Sequence, residues 1–92
     1  MRRSEIVSRI AEKTNIGQEN VEVIIQSLQD IIKESLLTGE PIFLDGFGVL
    51  EPRLLPERIG EHPVNGNKVV VQPMREVVFK ASGDLKRSIN IR

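Results

Sequence analysis

A chain of 92 residues with 39% hydrophobic content and three aromatic side chains, all Phe, makes one small domain whose core must be aliphatic. It has no Cys and one His, His62, which excludes a disulfide framework and a thiolate or multi-histidine metal site. Thirteen basic residues balance thirteen acidic ones, so bulk charge does not by itself attract a polyanion.

The distribution of charge is less neutral. Residues 1–50 carry five basic and eight acidic side chains, a net of −3, and residues 51–92 carry eight and five, a net of +3. Any electrostatic function belongs to the second half. Met1-Arg2-Arg3 leads into a polar stretch and no apolar run is long enough for a bilayer, so neither signal peptide nor membrane span is expected. Without staples, a cytoplasmic chain is expected.

Ile6, Val7, Ile10, Ala11 and Thr14 recur at helical spacing, with Ser4 placed to cap a first helix. Asn15-Ile16-Gly17 ends it. A second helix carries Val21, Ile24, Ile25, Leu28, Ile31, Ile32 and Leu36 on one face and stops at Gly39, with Pro41 just beyond. The short link predicts a helical hairpin. Charges occupy the opposite side, so the stripe reads as a core and dimer surface rather than a membrane face.

After Pro41 the period changes. Ile42-Phe43-Leu44 reads as a strand and Asp45-Gly46-Phe47-Gly48 as a turn. Val49 to Leu55 reads as a strand in which Pro52 implies an edge. Asn65-Gly66 is the strongest hairpin signal. Lys68 to Val71 returns as strand, Pro73 interrupts, and Val77-Val78-Phe79 reads as a buried strand. Ser82 caps a last short helix with Leu85 and Ile89 inward. The predicted fold is a single α+β domain over 1–92. Its parts are a helical hairpin (1–40), a three-stranded antiparallel sheet with a long β-hairpin arm (41–80) and a short C-terminal helix (82–90).

The arm is the informative feature. From Pro52 to Pro73 the hairpin averages roughly ten residues per strand, or ~30 Å at ~3.3 Å per residue, about a turn near Pro63-Val64-Asn65-Gly66. Its middle holds Arg58, Gly60, Glu61 and His62, poor core material, so part of it should project. An isolated two-stranded ribbon is marginal in water, so a ligand is needed to order it. With the arm removed from the core, the apolar stripe needs a partner, and a homodimer supplies one. A heterodimer whose second subunit brings positive charge is the alternative.

The order and spacing of Gly46-Phe47-Gly48, Glu51, Arg53, Arg58, Gly60, Pro63, Gly66, Phe79-Lys80 and Leu85-Lys86 resemble the HU/IHF family of bacterial histone-like proteins, without gaps over essentially the whole chain. The resemblance implies an intertwined dimer, nucleoid-associated and without cofactor, whose two arms enter the minor groove of double-stranded DNA and bend or compact it. It implies that Pro63 wedges between base pairs at a tip formed with His62, Asn65 and Gly66. It implies that Arg53 and Arg58 touch phosphates along the arm and that Arg3, Lys80 and Lys86 lie along the DNA path. Lys68 and Arg75 complete the arm's basic side chains. Phe47 and Phe79 are placed in the dimer core, with Leu28, Ile32, Leu44 and Leu50. A wedge costs roughly a few kcal/mol of stacking per step, offset by contacts along bent DNA, so bent, nicked or flexible DNA should be preferred over any one sequence. The plainer readings are that Pro63 only shapes the tip and that these cations are solvated surface charges.

The departures from the family pattern bear on function. Leu55, Ile59 and Glu61 stand where the family's arm is basic, His62 where Asn usually precedes the wedge proline, and Gln29 where the second helix has an aromatic. Residues 51–75 hold four basic and three acidic side chains, a net of +1. Each neutralised phosphate adds about 0.9 to the salt slope of binding, so the grip should be weaker and less salt-sensitive. With apolar Leu54, Leu55 and Ile59 on the arm, a protein-interaction module with weakened or lost DNA binding is the second reading. The sequence offers no nucleophile–base pairing, phosphate-cradling glycine loop or metal-ligand cluster, so an enzyme is not expected.

Overall fold

The computed structural model describes residues 1–61 and 64–90, without the side chains of Arg58 and Val71. His62 and Pro63 lie outside the described residues. The backbone forms two compact units, residues 1–34 and 35–92.

The first unit holds helix α1 (Arg3–Thr14) and most of α2 (Gln18–Leu37). Arg2, not Ser4, is the N-cap of α1: it is extended (φ −98°, ψ 166°) and its carbonyl accepts from Glu5 N–H and Ile6 N–H. Ser4 lies one residue inside the helix, because the cap is set by which residue leaves helical φ/ψ while its carbonyl takes the first helical bond. Asn15 closes α1 in the left-handed region (φ 61°), donating its N–H to Ala11 O at 2.9 Å, a conformation Asn tolerates better than most side chains. Val7 and Val21 are buried, whereas Ile24, Leu28 and Ile31 of the α2 stripe are exposed in the single chain.

The second unit begins in the last turn of α2, which closes in a Schellman arrangement. Glu40 N–H donates to Ser35 O at 2.9 Å, Gly39 N–H to Leu36 O at 3.2 Å, and Gly39 takes the required positive φ of 86°. Strands β1 (Ile42–Leu44), β2 (Gly48–Leu55) and β5 (Met74–Ala81) then form an antiparallel sheet in the order β1-β2-β5. Strands β3 (Arg58–Glu61) and β4 (Lys68–Val71) form a separate two-stranded ribbon, and α3 (Gly83–Ile89) follows.

Gly48 has to be glycine, because a Cβ there would lie 2.6 Å from Lys80 O and from the Phe79 ring. That close approach lets Phe47 and Phe79 meet, with ring centroids 5.5 Å apart and a 47° tilt. Both rings remain open to solvent in the single chain, at 49% and 44% exposure. The expectation of a buried Val77-Val78-Phe79 strand is corrected accordingly. The strand forms, but Val77 and Phe79 are exposed because one chain has nothing to cover them. In α3, Ser82 Oγ accepts Leu85 N–H at 3.1 Å as an N-cap should. Leu85 is half-buried but Ile89, at the end of a seven-residue helix, is exposed rather than inward.

One register runs through sheet and ribbon. β2 pairs with β5 from Gly48↔Ala81 to Leu55↔Met74, and β3 pairs with β4 from Arg58↔Val71 to Glu61↔Lys68. The pairing is in phase on both sides of the break, so Pro56 faces Pro73 and Glu57 faces Gln72. Pro52 pairs with Val77 beyond the reach of β1, whose last partner is Leu50, so the predicted edge position holds for that half of β2. The register agrees with a turn near Pro63-Val64-Asn65-Gly66 and refines its centre. It centres the hairpin between Val64 and Asn65, with Glu61↔Lys68 the outermost pair. A type I′ turn at Asn65-Gly66 needs positive φ at both residues, and only Gly66 has it (φ 73°). Asn65 instead accepts Asn67 N–H on Oδ1 at 2.9 Å, the side-chain turn that Asn favours.

Candidate nucleic-acid interface

Strand alternation sorts the sheet into two unlike faces. Leu44, Leu50 and Phe79 share one face with Ile42, Pro52 and Val77. Glu51, Arg53, Glu76 and Lys80 share the other. The predicted core residues Leu44 and Leu50 are half-buried on the apolar face. In the helical unit Ile32 is half-buried and Leu28 exposed.

On the charged face each expected DNA-contacting cation meets a carboxylate. Arg53 lies directly opposite Glu76, with Nη1 3.8 Å from Oε1. Lys80 reaches diagonally to Glu51, with Nζ 3.2 Å from Oε2. Such exposed pairs contribute about 0–1 kcal/mol, so they hold the sheet weakly. Their larger effect is on recognition: a phosphate approaching Arg53 or Lys80 must compete with a carboxylate already there. Glu76 went unremarked in the sequence because its partner is 23 positions away, and only the hairpin register brings the two together.

Arg75 does not join this group. It belongs to the apolar face, and its guanidinium donates to the carbonyl of Leu37, one of the carbonyls a helix end leaves unpaired. Arg3, in the helical unit, donates from Nη1 to Gln26 Oε1 at 3.0 Å and Gln29 Oε1 at 3.1 Å. The departure at Gln29 thereby acquires a local role as an acceptor for Arg3. Lys68 faces Glu61 across the ribbon and Lys86 is exposed on α3. Arg58 is placed on β3 opposite Val71 by its backbone alone. At the tip, Asn65 and Gly66 shape the connection as described above.

The ribbon differs in chemistry from the sheet. Ile59 and Val70 are directly opposed, at 73% and 56% exposure, and Leu54 and Met74 are also exposed. Among the described residues no three His, Cys, Asp or Glu side chains are grouped to hold a metal, and no helix is long and apolar enough to cross a membrane.

Comparison with known proteins bears directly on this arrangement. A family model described as "Bacterial DNA-binding protein" matches residues 1–90. The chain is 29% identical to the DNA-binding protein HU-1 of Halalkalibacterium halodurans, covering 97% of this chain and 99% of that protein. It is 30% identical to the integration host factor alpha subunit of an Anaeromyxobacter species, covering 99% and 92%. In fold it is similar to the HU of an Anabaena HU–DNA cocrystal structure, with a TM-score of 0.90, 24% identity and 98% coverage of each chain.

Proposed function

The chain belongs to the bacterial DNA-binding protein family of HU and integration host factor, and on that premise we propose that it is an architectural protein that bends or compacts duplex DNA. It acts as one domain over residues 1–92 and as a nucleoid-associated homodimer, with an arm from each subunit in the minor groove. The observation that carries this reading is the unbroken register that extends the charged face of the sheet, with Arg53 and Lys80, into the ribbon. That arrangement offers cations to phosphates at the base and a narrow two-stranded tongue to a groove beyond them.

The site residues follow from the same reading. Arg53, Lys80 and Lys86 contact phosphates, with Arg58 and Lys68 further along the arm, and Pro63 is the wedge at a tip that includes His62, Asn65 and Gly66. Arg3 lies beside the DNA path. Arg75 is the cation least suited to the role, given its bond to Leu37. Half-exposed Phe47 and Phe79, on a sheet with Leu44 and Leu50, support a second copy covering the apolar surface, and Leu28 and Ile32 of the helical unit are assigned to the same dimer core.

Shape preference follows from width. Two strands about 4.8 Å apart make, with their side chains, a ribbon wider than the ~6 Å minor groove of regular B-DNA. Entry needs a groove that is opened by bending, so nicked, junction or flexible DNA is favoured. The relatives give no support to a protein-interaction module that has lost DNA binding. Titration against nicked duplex, four-way junction and intact duplex at several salt concentrations tests the proposal. Micromolar or tighter binding to the distorted substrates with a negative salt slope is expected, and no binding even at low salt would remove it.

A further inference from the structure

The ribbon's most exposed apolar pair points to a selectivity that charge alone does not provide. Ile59 and Val70 face each other, and the shared register puts them in the same alternation phase as Leu55 and Met74 and, further down, Arg53 and Glu76. Outward along the arm this face therefore alternates in character: Leu55 and Met74, then the polar couple Glu57 and Gln72, then Ile59 and Val70. Nothing in a two-stranded ribbon covers the last pair: Ile59 is 73% exposed and Val70 56%. Polar cross-strand couples bound the pair on both sides, Glu61 and Lys68 toward the tip and Glu57 and Gln72 toward the sheet.

We propose that the Ile59–Val70 pair is a specificity-determining contact that lies against the deoxyribose walls of the groove and selects DNA over RNA. This deepens the architectural reading above and rests on it. DNA rather than a protein is the occupant because the pair lies, without a change of phase, on the face that carries Arg53 and Lys80. Deoxyribose presents carbon and hydrogen at C2′, which two branched aliphatic side chains can cover without stranding a polar group. An RNA minor groove is lined with 2′-hydroxyls. Neither Ile nor Val can donate to or accept from such a hydroxyl, so covering one leaves it without a partner. Basic side chains would not discriminate in this way, since phosphates are common to both polymers.

The test compares a nicked DNA duplex with a nicked RNA duplex of the same sequence, using the full chain and the variant Ile59→Thr/Val70→Thr. Threonine keeps the branched, strand-favouring shape but adds a hydroxyl able to pair with a 2′-OH, and circular dichroism checks that the fold is retained. The parent is expected to bind DNA at least about tenfold more tightly than RNA, the scale of one stranded hydrogen-bonding group. In the variant that ratio should fall by about threefold or more, with the salt slope for DNA unchanged because no charge is altered. Equal binding of the two duplexes by the parent, or a ratio the variant does not move, overturns the inference and leaves the architectural function standing. Failure of the parent to bind nicked DNA at all overturns both.

Discussion

Pro56 faces Pro73 across the hairpin, in register with the pairs on either side, at the point where the sheet ladder stops and the ribbon ladder starts. The bond from Ser82 N–H to Phe47 O, at 2.8 Å, sets the phase of this ladder and puts both prolines at non-hydrogen-bonded positions. No ladder bond is lost for want of an N–H. The break coincides with two opposed prolines, each holding φ near −65° where an antiparallel strand needs about −140°, whereas the single Pro52 opposite Val77 leaves the ladder intact. Pro56→Val/Pro73→Thr should therefore join the two ladders. Amide exchange at residues 57–60 and 69–72 is expected to slow by roughly tenfold, the scale of one added hydrogen bond, and unchanged exchange would rule out the prolines as the cause of the break.

The ion pairs on the charged face make a second expectation. Glu76→Gln frees Arg53, and Glu51→Gln frees Lys80. Each variant should bind duplex DNA several-fold more tightly at low salt, with the slope of log K against log salt steepening by about 0.9 for each phosphate newly engaged. Stability should move by no more than about 1 kcal/mol, because both pairs are exposed. Salt titrations and thermal melts together check this.

Arg75 and Arg53 should separate cleanly. Arg75→Gln removes the donor to Leu37 O and should destabilise the end of α2 by about 1 kcal/mol, with little change in DNA affinity. Arg53→Gln should do the reverse. Denaturant unfolding and a binding titration on both variants distinguish a structural arginine from a phosphate-contacting one.

Phe79 tests the dimer. It is 44% exposed in one chain and packs on Phe47 at 5.5 Å. If a second copy covers it, Phe79→Ala should cost about 3 kcal/mol or more and shift the assembly toward monomer on dilution. Sedimentation equilibrium across concentrations reads the shift. A parent protein already monomeric at all concentrations would contradict the dimer reading.

Much of the fold is legible in the sequence because its signals are local. The α2 stripe, Gly39 with Pro41, Gly46-Phe47-Gly48 and the Ser82 cap each act within a turn or two, and each element appears where expected. What the sequence concealed was pairing. The Asn65-Gly66 dipeptide favours a two-residue turn centred on itself, but the ladder anchored at Gly48↔Ala81 sets the register and centres the hairpin between Val64 and Asn65. The same non-local pairing sets Glu76 against Arg53 and turns Arg75 to the opposite face. Burial was the other gap. Apolar periodicity reads Val77-Val78-Phe79 as a buried strand, whereas Val77 and Phe79 are exposed in the single chain.

The central claim, that this protein shapes DNA, is tested most directly by end-to-end energy transfer in a short nicked duplex labelled at both ends. Saturating protein is expected to bring the ends together on the nicked duplex, less so on the intact one, with the effect reversed by added salt. Saturation of the same DNA with no change in end-to-end distance would contradict the account.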